Sequence, residues 1–211
     1  MSDHDQPTVL IVRGAGPAGR RIANAVQAAG ATTVVLDERT CAHDGVHAVR
    51  VPFDDVAQPR RAVHDLTVRY GSFEAMVLLP PPVDAKGDGS LGPSLDPTWE
   101  FDLGQELTLV AGLVRVAAPT LATVSGVVMP VSASPELHEP THRATLFAQS
   151  YLPALRALAA EFGLRLAPVE TEATGTARGT AVAARLLEEL GSDASVTGPA
   201  GSVPGASPAV R

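Results

Sequence analysis

The stretch that decides the fold is Thr8 to Asp37, TVLIVRGAGPAGRRIANAVQAAGATTVVLD. It begins with five apolar or β-branched residues, Thr8 to Val12, a run suited to a strand buried on both faces. Gly14-Ala-Gly-Pro-Ala-Gly19 then turns the chain. A helix follows, with Ile22, Ala23, Val26 and Ala29 spaced to share one face and Gly30 as its stop. Thr32 to Leu36 repeats the strand pattern, and Asp37 closes it. Strand, glycine turn, helix and strand in this order predict a parallel βαβ unit.

The glycine turn has the setting of a dinucleotide fingerprint, since it follows a strand and opens a helix. Gly14, Gly16 and Gly19 let backbone amides approach a diphosphate, and the helix N-terminus supplies positive potential. Asp37 lies eighteen residues beyond Gly19, placed to accept from a ribose hydroxyl. Its charge favours NAD over NADP. Arg13, Arg20 and Arg21 complicate that preference, because guanidinium groups near the loop could hold a phosphate. A tight turn without any ligand explains the same glycines.

The alternation continues outward from this unit. Ala48–Val51 reads as a short strand and Arg60–Tyr70 as a helix with Val63 and Leu66 inward and Gly71 closing it. Ala75–Leu79 is a strand stopped by Pro80, Pro81 and Pro82. Residues 83–95 have loop composition. A long helix is expected from Asp96-Pro97 to Pro119, with Asp as cap and Pro at its first position. Gly126–Val131 is a fifth strand. The helix LPALRALAAEF ends at Gly163, and Leu164–Val169 and TAVAARLLEEL supply a last strand and helix. No repeat or linker divides the chain. The expected fold is a doubly wound, Rossmann-type α/β/α sandwich with a parallel sheet, one domain over residues 1–200 with a frayed tail at 201–211.

Apolar residues make up 45% of the 211 and aromatics only 4%, so the core must be aliphatic. A net charge of −7 without a basic stripe argues against a nucleic-acid partner. One cysteine, Cys41, cannot form an internal disulfide, which fits a reducing cytoplasm. The polar start MSDHDQPT does not read as a signal peptide. No run of about 18 apolar residues is evident to span a membrane.

These segments, taken in order, resemble the short-chain dehydrogenase/reductase family over nearly the whole chain. VLIVRGAGPAGRRIANAV resembles its first strand, turn and helix, and FDDVAQPRRAV its Asp-Val segment, which implies that Asp55 faces an adenine. GSFEAMVLLPPP is similar to the segment that usually ends in Asn-Ala-Gly. SGVVMPVSAS resembles the strand carrying the catalytic serine, implying that role for Ser132 or Ser134. LRALAAEFGLRL and LLEELGSDASVTG resemble the later helix and the C-terminal signature. The implied chemistry is hydride transfer between a nicotinamide and a carbonyl or alcohol. A tyrosine moves the proton there, and a lysine four residues on lowers its pKa and holds the ribose.

The departures fall on that chemistry. The family's spacing puts the tyrosine position at Ala144 and the lysine at Ala148, and neither methyl group carries a proton. Tyr151 is followed four residues later by Leu155, and Lys86, the only lysine, lies in a loop. Prolines 80–82 replace Asn-Ala-Gly, the family's structural asparagine falls near Glu106, and the outer glycines are one residue closer than usual. After Val169 the substrate lid is reduced to ETEATGTARGT.

The resemblance implies a non-catalytic subunit that assembles with an active family member, or with itself, through helices near 97–118 and 142–162. Leu107, Val110, Leu113, Val114, Leu146, Leu152, Leu155 and Leu158 make those helices apolar on more than one face. Two alternatives stay open: an NAD-dependent reductase using His138 or His142 as acid/base, and a regulator that binds NAD without turnover. The segment SASPELHEPTHRATLFAQSYL, Ser132 to Leu152, contains a literal H-E-x-x-H. Pro140 between the histidines breaks the shared helix face a zinc site needs, so no metal is expected.

Overall fold

A computed structural model describes residues 6–41, 44–80, 98–133, 151–171 and 175–194. Its strands are β1 (Thr8–Val12), β2 (Thr32–Asp37), β3 (His47–Arg50), β4 (Ala75–Leu78), β5 (Val127–Ala133), β6 (Arg165–Leu166) and β7 (Val169–Thr171). The helices are α1 (Pro17–Ala28), α2 (Ala57–Tyr70), α3 (Thr98–Thr123), α4 (Leu152–Phe162) and α5 (Gly175–Ala194). All strand pairs are parallel, in the order β3-β2-β1-β4-β5-β6, with β7 also on β5. This is the expected doubly wound Rossmann-type fold.

Period-two alternation divides the core. From β1, Leu10 and Val12 enter the layer beneath α2, α3 and α4, while Val9 and Ile11 enter the layer beneath α1 and α5. All five β1 residues are buried, as a strand covered on both faces must be. Between α1 and α5 the backbones nearly touch: a Cβ on Gly179 would lie 2.5 Å from the Ala18 carbonyl oxygen.

Several boundaries differ from the sequence expectation. Ala29 is exposed and follows α1 as its C-cap, so only Ile22, Ala23 and Val26 of the expected face are buried. Helix α3 does not stop at Pro119 but carries it inside and runs on to Thr123. A proline within a helix costs ~3 kcal/mol, which burial of Leu121 together with Ala117 and Ala118 offsets at ~2 kcal/mol for the leucine alone. The expected strand over 164–169 is two strands. β6 pairs with Val127 and Val128, β7 with Val131 to Ala133, and Pro168 lies between them. Residues 104–123 of α3 are also long and apolar enough to cross a membrane by composition, contrary to the expectation that no such run exists. In this fold Leu113, Val114, Ala117 and Leu121 from that stretch are fully or almost fully buried in the protein's own core.

Candidate functional site

In an open parallel sheet the ligand crevice lies at the carboxyl ends of the strands, where the strand order reverses. Here that point is between β1 and β4, and the glycine turn stands directly above β1.

The turn is built by close backbone contact. A Cβ on Gly19 would sit 2.1 Å from the Gly14 carbonyl oxygen, and one on Gly14 would meet Ile11 and Val35 at 2.9–3.0 Å. Gly14 and Gly19 are therefore demanded by the packing of α1 on the sheet, whatever the turn binds. Gly16 ends the turn as the N-cap of α1, and Pro17 at the first helical position removes one amide donor there.

Asp37 is only 3% exposed. Its Oδ2 accepts from the Ala15 amide at 2.8 Å and its Oδ1 from the Arg39 amide at 2.9 Å, with the Arg39 Nε at 3.4 Å. The carboxylate thus ties the turn to β2. Arg39, more than half exposed, folds back so that a Cβ on Gly16 would be 3.3 Å from its guanidinium. Cys41 lies nearby, its thiol pKa raised by burial and by Asp37, with Arg20 opposing. Asp55 is exposed, and its Oδ1 accepts from the Ala57 amide at 3.0 Å in the first turn of α2.

Arg13 is the first residue beyond β1, with φ of 62°, a left-handed conformation unfavourable for a residue with a side chain. Its amide donates to the Leu36 carbonyl at 2.7 Å, prolonging the β1–β2 pairing. The guanidinium makes a two-pronged ion pair with Glu106 of α3, both side chains about one-tenth exposed. It also lies over the Phe53 ring, 4.9 Å from the centroid. Tyr151, just ahead of α4, is buried at 2% exposure. Burial first, and Glu106 second, push its phenol well above the ordinary tyrosine pKa, with Arg13 acting in the opposite direction. A buried ion pair backed by a buried phenol therefore joins the carboxyl end of β1 to α3 at the rim of the switch point.

Arg13 is thus committed to Glu106 and is not turned out to receive a phosphate. Arg21 likewise donates to the Thr180 hydroxyl at 3.2 Å. Sequence reasoning noted Arg13 and Glu106 separately and missed their pairing. The available signal was a lone acid in the apolar helix segment LGQELTLVAGLV and a lone base at the end of an apolar strand, each in need of a partner.

The small residues of the turn fit the diphosphate of a dinucleotide. The ribose end fits poorly, because Asp37 is turned inward onto two backbone amides. Ser132 lies in β5, with nothing described of its side chain. Ser134, His138, His142, Ala144, Leu146, Ala148, prolines 81 and 82, Lys86 and the 201–211 tail lie outside the described residues. Among the described residues no three His, Cys, Asp or Glu side chains gather as a metal site.

No family model and no curated protein sequence matches the chain. Solved structures do. A short-chain dehydrogenase from Streptomyces avermitilis superposes with a TM-score of 0.61 at 18% identity, over 79% of this chain and 65% of that one. The chain therefore spans just under two thirds of that enzyme's length. A glucose/ribitol short-chain dehydrogenase/reductase from Brucella melitensis gives 0.62 at 17% identity, over 81% and 77%. A Leptospira borgpetersenii short-chain dehydrogenase with bound NAD+ gives 0.59 at 11% identity, over 81% and 73%. This chain has the fold of the short-chain dehydrogenases.

Proposed function

We propose that the protein is a non-catalytic, short-chain dehydrogenase/reductase-like subunit of the cytoplasm. It assembles with a catalytically active dehydrogenase/reductase and stabilises or regulates it, in acyl-CoA or in ketone and alcohol metabolism. The observation that carries this reading is the buried Arg13–Glu106 pair, set at the rim where a dinucleotide would lie in this fold. Ala144 and Ala148 at the family's tyrosine and lysine positions support it. Co-expression with an intact family member encoded beside it is the test. The expected result is co-purification at a fixed ratio, with the partner's thermal stability or turnover raised. A monodisperse homomer, with the relative unchanged by its presence, overturns the proposal.

The intact turn at Gly14, Gly16 and Gly19 favours one second reading, a regulator that binds NAD without turnover. Titration with NADH, followed by fluorescence, separates the two. Saturable binding that changes the affinity for the partner supports the regulator, and no binding removes it. Reduction of ketones by the purified chain alone would instead point to an oxidoreductase with relocated acid/base groups.

A further inference from the structure

The outer surface of α2, α3 and α4 differs in charge from the protein as a whole. The chain carries −7, yet among the described residues these helices expose Arg60, Arg61, Arg69, Arg115 and Arg156 against Asp65 and Glu161, with Asp54 and Asp55 just ahead of α2. A groove of about 370 Å³ runs between the three helices. Leu107, Ala111, Ala154 and Leu155 supply apolar lining, Arg60 and Arg115 supply positive charge, and none of the described lining residues is acidic. Gly112 makes room for this arrangement: a Cβ there would lie 3.0 Å from the Arg60 Cδ. The Arg60 stem therefore lies across α3, one turn from Arg115. Neither guanidinium has an ion-pair partner among the described residues.

Most of the leucines and valines expected on the partner helices pack inward, as at least half of them must to cover the sheet, while Leu107 stays partly exposed in the groove. Val110, Leu113, Val114, Leu152, Leu155 and Leu158 are buried in the protein's own core. What faces outward is a surface of small residues, including Ala154, Ala157 and Ala160, bordered by arginines. Small residues admit a helix at close range, and the arginines determine which helix. A second copy docked by the same face about a two-fold axis would bring like charges together, because an isologous contact must be self-complementary.

We propose that this groove takes a helix of a different protein that carries carboxylates beside an apolar stripe. The inference rests on the subunit reading above and specifies the chemistry of the partner. The probe is a charge-reversed copy of the chain itself, R60E/R115E, which offers the same shape with acidic groups. Sedimentation velocity compares wild type, variant and an equimolar mixture at low and high salt, with circular dichroism confirming that each is folded. The mixture is expected to form a 1:1 complex that weakens at least ~10-fold in high salt and is lost when Ala154→Trp blocks the groove. If R60E/R115E does not fold, R115E replaces it. A mixture that shows no added association overturns the proposal. So does wild type alone forming a dimer that Ala154→Trp breaks, since the occupant would then be a second copy. Neither outcome touches the co-expression result, so the two proposals fail separately.

Discussion

Two regions meet at the carboxyl end of β1 and carry opposite lessons. The glycine turn keeps the form of a dinucleotide site, yet its parts are explained by packing. Gly19 has no room for a side chain against Gly14, and Asp37 binds the turn's own Ala15 amide. The rim beside it is held by charge. Arg13 and Glu106 hold each other there, over Phe53 and near Tyr151. A glycine turn of this form can thus be demanded by packing alone, whatever it binds, while charge builds the rim beside it.

The comparison breaks most directly at Gly19. Gly19→Ala would place a methyl group 2.1 Å from a backbone oxygen, and no rotamer relieves a backbone clash. Loss of more than ~5 kcal/mol is expected, read as failure to fold or as a collapsed urea midpoint. A folded Gly19→Ala protein of near-normal stability would mean that the turn is free to adjust and that ligand approach, not packing, is the better reason for the glycine.

The rim should respond differently, through charge rather than shape. Glu106→Ala leaves the Arg13 guanidinium buried without its partner and is expected to cost about 3 kcal/mol. Replacing both, as R13M/E106L, should restore most of that loss, because a buried ion pair is often no more stabilising than apolar residues of similar volume. Urea unfolding of the two singles and the double gives the coupling directly. The same double variant, by removing the charges from the rim, tests whether the pair bears on dinucleotide binding, read by NADH titration of variant and wild type. If it gains NADH binding that wild type lacks, the pair is what excludes the cofactor.

Much of the fold was legible because its signals are local. Buried strands announce themselves as apolar runs, and Gly30, Gly71 and Gly163 mark helix ends through the positive φ they adopt. The errors fell where a distant contact overrode a local rule. Pro119 does not end α3, because Leu121 beyond it is buried. Periodicity also shows that a face is apolar and not what covers it: Val110, Leu113, Val114, Leu152, Leu155 and Leu158 pack in the core, as at least half of the residues named on those two helices must. The rim was the least legible part: Arg13 and Glu106 are 93 residues apart, and no spacing rule connects them. The arginine-lined groove was hidden for the same reason, since Arg60 and Gly112 meet only once α2 packs on α3.

The smallest expected effect is also the most specific probe of the rim. Burial, reinforced by Glu106, keeps the Tyr151 phenol protonated above the ordinary tyrosine value of about 10. A phenol whose pKa is raised on folding adds stability that is complete below the unfolded value. That stability is lost as pH rises toward the folded one. The protein should therefore weaken progressively above about pH 10, with the Tyr151 share of the phenolate absorbance appearing only as the chain unfolds. Tyr151→Phe should remove that step and flatten the alkaline decline. Glu106→Ala should shift the step modestly downward, because burial is the larger cause and remains. If Tyr151 titrates at an ordinary pH while the protein is still folded, water reaches the rim, and the contrast between a closed rim and an intact turn fails.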